Sequence, residues 1–292
     1  VSHTSPEETR YHEAWMREVA PLDDAHEHPL RRGLQMALVG GRLAFGFASV
    51  FSAGYQAALR AVFPSLEFSG WAAFVVSEDR GADALAGVSY APSDGQWLLD
   101  GHKSWVAGSR HVELLVTKAG RGKDAKYFGV PVQSAGLTLR HKDAPRMLPE
   151  LSQAVADFRG VRASQPLDPS GIGQFGAAEV FFIYAAFVAW VASQSQDDEP
   201  RGKAQRILDS IFDFIDAWMS GEDDVDMNIR RHETPAIALA GLQRDNAAMI
   251  ELDRQVQTLC RELGEGARQD DATWRRDQGL IAMYALRDPA PQ

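Results

Sequence analysis

Gly171-Ile172-Gly173-Gln174-Phe175-Gly176 spells G-x-G-x-x-G at the start of an apolar run. Such a loop lets backbone amides approach a dinucleotide pyrophosphate. That chemistry also needs a hydrophobic strand before the loop and a second strand after the helix. Here Gln165-Pro166-Leu167-Asp168-Pro169-Ser170 precedes it and nothing strand-like follows, so the glycines read as a junction between structural units. Asp23-Asp24-Ala25-His26-Glu27-His28, with His12 upstream, supplies metal-ligand residue types. The spacing matches no helical zinc motif, so a solvated loop is expected and a metal site is not. Cys260 is the single cysteine. It excludes an intrachain disulfide framework and a cysteine-based zinc site, and it fits a reducing compartment. Its place on an apolar helix seam points to packing rather than nucleophilic catalysis. Neither a Gly-x-Ser-x-Gly elbow nor a phosphate-binding P-loop occurs.

The elements that would position any chemistry change character twice along the chain. Residues 11–64 read as helical, with Leu34, Met36, Ala37, Leu43, Phe45, Val50 and Phe51 on the apolar faces of two short helices. From about residue 71 to 158 the pattern is strand-like. Ala72 to Val76 is a short buried run, and residues 88–91 and 96–99 flank the turn-forming Pro92-Ser93-Asp94-Gly95. Further short strands are expected at 111–117, 126–130, 137–140 and 155–158, the signature of a small antiparallel sheet or barrel. After Pro169 the text is helical again. Residues 180–192 are apolar all round, which marks a helix enclosed by protein. Ile207, Leu208, Ile211, Phe212, Ile215, Trp218 and Met219 form one stripe, and Met249, Leu252, Val256, Leu259 and Leu263 form a bundle seam. The polar stretches 194–202 and 221–226 read as linkers. The expected fold class is α+β, with a helical domain over residues 1–68, a middle β domain over 69–166 and a helical bundle over 167–292.

Composition limits the partners. The 292 residues are 45% hydrophobic and 24% charged, as in ordinary globular proteins. Forty acidic against thirty basic side chains leave a net charge of −10, a field that repels phosphate backbones and anionic lipid. Neither nucleic acid nor a membrane surface is therefore expected as a partner. The first ten residues lack the apolar core of a secretory signal. The longest apolar run has 13 residues, short of the roughly 20 that span a bilayer. A soluble, cytoplasmic protein is expected.

Two segments of the β region carry a family resemblance. Val76-Ser77-Glu78-Asp79-Arg80-Gly81-Ala82-Asp83 leads through a hairpin to Leu99-Asp100-Gly101-His102-Lys103-Ser104-Trp105-Val106-Ala107-Gly108. The pair resembles the middle domain of the acyl-CoA dehydrogenase family, where the segments read T-E-P-x-x-G-S-D and L-N-G-x-K-x-W-I-T-N. Phe128-Gly129-Val130-Pro131 and Ala135-Gly136-Leu137 are similar to the family's later F-L-V-P and P-G-V run. The resemblance implies a β domain covering one face of FAD, with helices from both chain ends completing the site. It implies that Ser77 donates to the flavin pyrimidine edge as the family's threonine does, since a serine keeps that donor. Val76 and Ala82 would line the same edge, Trp105 would pack against the isoalloxazine, and Ala107 would offer a backbone contact near N5.

The same resemblance exposes departures. Ala107 has no hydroxyl where the family has threonine or serine. The interface motif R-x-x-F-G keeps only Arg201-Gly202, and Q-x-L-G-G-x-G is echoed at 257–259 and 264–266. Arg276-Asp277-Gln278-Gly279-Leu280-Ile281-Ala282-Met283-Tyr284-Ala285 aligns with the family's C-terminal motif and puts Ala285 on its catalytic glutamate. Abstraction of the substrate α-proton needs a carboxylate. Glu179, close to an alternative base position on an earlier helix, is the remaining candidate, and its other reading is an acid interacting with the helix dipole. Measured against the family, the chain is short at both ends, which implies a more open pocket or a partner subunit. Three functions follow from the resemblance. The first is a flavin-dependent oxidoreductase acting on an acyl thioester of CoA or of an acyl carrier, as a homo-oligomer. The second is a flavin monooxygenase on the same fold, and the third a non-catalytic or flavin-free partner subunit. Arg140-His141-Lys142, Arg159 and Arg162 are basic groups that could meet CoA phosphates.

Overall fold

The computed structural model describes residues 5–23, 28–64, 66, 68, 70–78, 85–145, 147–169, 171–220, 239, 242, 246–266 and 272–285. The chain folds into two compact units, Val1–Ala20 with Ser65–Ser170 and Pro21–Pro64 with Gly171–Gln292.

The first unit holds α1 (Pro6–Glu18) and seven strands: β1 (Trp71–Val75), β2 (Ser89–Ser93), β3 (Gln96–Ala107), β4 (Val112–Ala119), β5 (Lys126–Pro131), β6 (Leu137–His141) and β7 (Gln153–Ala163). They form two sheets, ordered β1-β4-β5 and β2-β3-β7-β6. Pairing is antiparallel throughout except between β1 and β4, which run parallel from Trp71↔Val112. The β2–β3 hairpin turns at Asp94 and Gly95, with φ of 50° and 76°. Two positive φ values define the turn whose twist suits a two-residue hairpin, and Asp-Gly tolerates them.

Helix α1 starts where Ser5 accepts the Glu7 N–H at 3.2 Å and Pro6 fills the first turn. It buries Glu8, Tyr11 and Trp15, which stack one above another at helical spacing. Glu8 accepts the Ser152 N–H at 3.0 Å and the Ser152 hydroxyl at 2.7 Å. Burial lifts its carboxyl above the usual carboxylate range, while those bonds and the charge of Arg110 work against the rise. Trp71 gathers Tyr11, His12, Trp15 and His111 around its ring at centroid distances of 5.1–6.4 Å.

His12 and His111 stack at 4.2 Å. Their Nε2 atoms and Trp71 Nε1 are buried without a hydrogen-bond partner among the described residues. Desolvation lowers the basicity of both imidazoles, His111 to about 4, where His12 and Arg110 add repulsion; Glu113 and Glu13 partly oppose the fall at His12. A group depressed in the folded state takes up its proton first in the unfolded chain. The contribution of the pair is therefore complete above pH 6.5 and declines as pH falls toward about 4. A denaturant series across that window should show the decline, and His111→Phe should flatten it.

The second unit contains α2 (Pro29–Arg42), α3 (Phe47–Val62), α4 (Phe175–Gln194), α5 (Asp198–Ser220), α6 (Ala247–Gly266) and α7 (Ala272–Met283). Helix α4 is apolar on every side, with Phe181, Phe182, Ile183 and Tyr184 fully enclosed. The span Ile172–Gln194 has the length and mean hydropathy, 1.8, of a membrane helix, and 78% of that window is buried inside the protein. Helix α3 comes so close to α4 that a Cβ on Gly54 would lie 2.4 Å from the Ile183 backbone. Ile207, Leu208, Ile211 and Ile215 of α5 are buried as the stripe predicts, whereas Phe212 is exposed and Phe45 lies outside the helices on the surface. Residues 198–202, expected in a linker, form the first turns of α5, and 221–226 lie outside the described residues. The α6 seam buries Met249, Leu252, Val256 and Leu259, with Cys260 beside them.

Candidate functional site

Two of the sequence-predicted flavin residues stand where β1 ends. The chain leaves Val75 in extended form, and Val76, Ser77 and Glu78 line one side of a cleft of about 680 Å³, with Lys118 and Arg121 on the other. Ser77 is exposed and Val76 half-buried. The Ser77 carbonyl accepts the Ser104 N–H at 3.0 Å, and the Ser104 carbonyl accepts from Lys142 Nζ at 2.9 Å. Ser77 is thus tied to β3 one residue before Trp105.

Trp105 is half-buried and its Nε1 donates to Gln153 Oε1 at 3.0 Å. The Gln153 amide in turn donates to the carbonyls of Met147 and Leu148, which fixes the acceptor and so the indole. Ala107 pairs with Gln153 in the β3–β7 ladder and is 3% exposed, so it offers almost no surface. Ala82 lies outside the described residues. The residues fit a flavin in part. Ser77 presents an exposed hydroxyl, Val76 an apolar edge and Trp105 an aromatic surface, while Ala107 presents almost nothing.

The electrostatics of the cleft rest on residues that carry no motif signal of their own. Lys103 Nζ donates to Glu78 Oε1 at 2.5 Å. That bond holds the Glu78 carboxyl below its usual range against the opposing effect of burial, and the charges of Lys103, Arg121 and Lys118 assist. A lysine and a glutamate 25 positions apart give no sign of pairing in a single sequence.

In the second unit, Glu179 is half-buried in the early turns of α4. Tyr284 follows α7, and its phenol is pushed above the usual tyrosine range, chiefly by burial and then by the charges of Glu179, Tyr55 and Tyr184. Ala285 is the next residue and is half-buried. The fold therefore brings Glu179 within electrostatic reach of the residue adjoining Ala285, so the two candidate base positions share a neighbourhood. Helix α7 is seated there by Gln257, whose Nε2 donates to Ile281 O at 3.0 Å and to the Tyr184 hydroxyl at 2.9 Å. The Tyr184 hydroxyl donates to Asp253 at 2.5 Å.

The remaining motifs take structural roles. The glycine-rich segment forms a single turn of 3-10 helix, Ile172–Gln174, leading into α4, and α4 is followed by another helix. Asp23 meets two buried arginines, Arg60 at 2.8 Å and Arg32 at 3.5 Å, the arrangement by which buried charge is tolerated. His28 caps α2, accepting the Leu30 N–H. Residues 24–27 lie outside the described residues. Among the described residues no group of three His, Cys, Asp or Glu side chains converges on a metal position.

No family model matches the sequence, and no curated protein matches it. Solved structures do. The FAD complex of PigA superposes with a TM-score of 0.59 at 13% identity, covering 96% of this chain and 85% of that one. The prolyl acyl carrier protein oxidase AnaB gives 0.56 at 13% identity, over 94% and 86% of the two chains. An acyl-CoA dehydrogenase complexed with FAD from Bacillus anthracis gives 0.54 at 12% identity, over 96% and 64%. The chain has an acyl-CoA dehydrogenase-like fold, as the motifs of its β region imply.

Proposed function

We propose that the protein is a flavin-dependent oxidoreductase of acyl-CoA dehydrogenase type, acting on the acyl thioester of CoA or of an acyl carrier. One observation carries this reading: Ser77 and Val76 line the cleft at the end of β1, with Trp105 fixed beside them on β3. The fold, shared with FAD complexes, supports it. Ser77 donates its hydroxyl to the pyrimidine edge, Val76 lines that edge, and Trp105 packs on the ring system. When bound, the flavin supplies the acceptor for the substrate β-hydride. Glu179 takes the α-proton, and its carboxylate form serves at neutral pH. A cytoplasmic homo-oligomer belongs to the same reading.

A second reading, a flavin-free partner subunit, is favoured by Ala285 on the base position and by the burial of Ala107. An absorbance spectrum before and after incubation with FAD and desalting separates the two. Retained flavin bands near one equivalent per chain support the enzyme. A colourless protein that takes up no FAD supports the partner subunit.

Trp105→Ala tests the site itself. The variant should retain less FAD than the wild type while losing little stability, because the side chain is half-buried rather than enclosed. Equal flavin content in both folded proteins would remove Trp105 from the site.

A further inference from the structure

A buried ammonium is costly unless a counter-charge meets it, and Lys103 is 0% exposed. Its partner is Glu78, at 2.5 Å. Space for that carboxylate depends on two close backbone approaches. A Cβ on Gly87 would lie 2.4 Å from the Glu78 carboxylate, and one on Gly101 would lie 2.5 Å from the Gly87 carbonyl oxygen. Gly101 also has φ +133°, a conformation open to glycine and strained for other residues. The His102 N–H donates to Ala86 O at 3.0 Å, and Gly87 bridges His102, so residues 86–87 are clamped against β3 next to Glu78. Immediately after Lys103, Ser104 donates its N–H to the Ser77 carbonyl. Successive residues of β3 thus grip successive residues after β1. Lys103 holds the side chain of Glu78, and Ser104 holds the backbone of Ser77.

We propose that Lys103 is the positioning residue of this cleft: its buried ammonium anchors Glu78 and thereby fixes the direction in which the preceding Ser77 presents its hydroxyl. The glycines at 87 and 101 serve the same end by making room for the ion pair. This inference rests on the flavin reading for its ligand, but the anchoring itself can be read without one.

The test uses the full chain, with FAD titrations followed by flavin fluorescence and hydrogen exchange followed at the Ser104 amide, with β4 amides as the internal control. In Lys103→Met, FAD affinity should fall roughly 10- to 100-fold, the size of a lost charge-assisted bond. The Ser104 amide should exchange faster while β4 is unchanged. Unaltered Ser104 exchange in the folded variant overturns the proposal. A wild type that takes up no FAD overturns the flavin reading, and the exchange measurement still decides the role of Lys103.

Glu78→Gln gives a second route if Lys103→Met does not fold. Burial already lowers the basicity of Lys103 and Glu78 opposes that fall, with Lys118 and Arg121 facing it as like charges. Without the carboxylate, Lys103 should lose its proton as pH rises from neutral to alkaline. Ser104 exchange, and FAD affinity where present, should then become pH-dependent in the variant and stay flat in the wild type. A flat profile in both overturns the proposal.

Discussion

Ala285→Glu should raise the rate of acyl thioester desaturation by about 10²–10⁴-fold, the range a positioned general base supplies. The position is half-buried and follows Tyr284, whose phenol feels the charge of Glu179. A carboxylate introduced there would share its surroundings with Glu179, and like charges raise each other's pKa. The gain should therefore grow with pH across the carboxylate range. Anaerobic bleaching of the flavin by an acyl-CoA measures it directly. Glu179→Gln should depress the residual rate of the parent, yet leave most of the gain in the double variant. An unchanged rate in Ala285→Glu would mean that the substrate α-carbon is not presented at this position.

Trp71→Ala should cost about 3–5 kcal/mol, the range for deleting a large enclosed aromatic side chain. Trp71 is 1% exposed and is the common neighbour of Tyr11 and Trp15 from α1 and of His111 from the turn before β4. Its loss would open a cavity between α1 and the sheet and leave two aromatic rings without their contact. Urea denaturation followed by near-ultraviolet dichroism should show the midpoint fall, with the α1 signal lost at lower urea than the sheet. A cost below about 1 kcal/mol, usual for a surface change, would mean that α1 is not seated on β1.

The β region is the most legible part of the sequence because two local signals coincide there. Apolar runs of strand length alternate with turn residues, and Asp94-Gly95 does what its composition suggests. The parallel pairing of β1 with β4 is not legible, since the partners lie about 40 residues apart and pattern alone carries no direction. The first turn of α1 looks like plain polar text. Yet Ser5-Pro6-Glu7-Glu8 is a helix-start signal of the S-x-x-E kind. The apolar stripe it opens is disguised by Glu8, a charged residue at a core position that Ser152 satisfies. In the candidate site, motif matching finds Ser77 and Trp105 but not what holds them. Their supports, Lys103–Glu78 and Gln153, are tertiary contacts across 25 and 48 positions. Ala107, placed near the flavin by alignment, shows how a motif position can keep its register and lose its surface.

The division of each unit between separate stretches of chain has a consequence for synthesis on the ribosome. Helices α2 and α3 emerge early, but α4, the helix they enclose, lies about 110 residues downstream. At translation rates of about 5–20 residues per second this is a wait of roughly 6–20 s. During that interval the apolar faces of α3 have no native partner, while the entire β region is made and can pair its strands. The nascent chain thus carries a timed exposure written into its connectivity. A chaperone that shields helices α2 and α3 until α4 arrives would act at the most vulnerable moment in the life of the molecule.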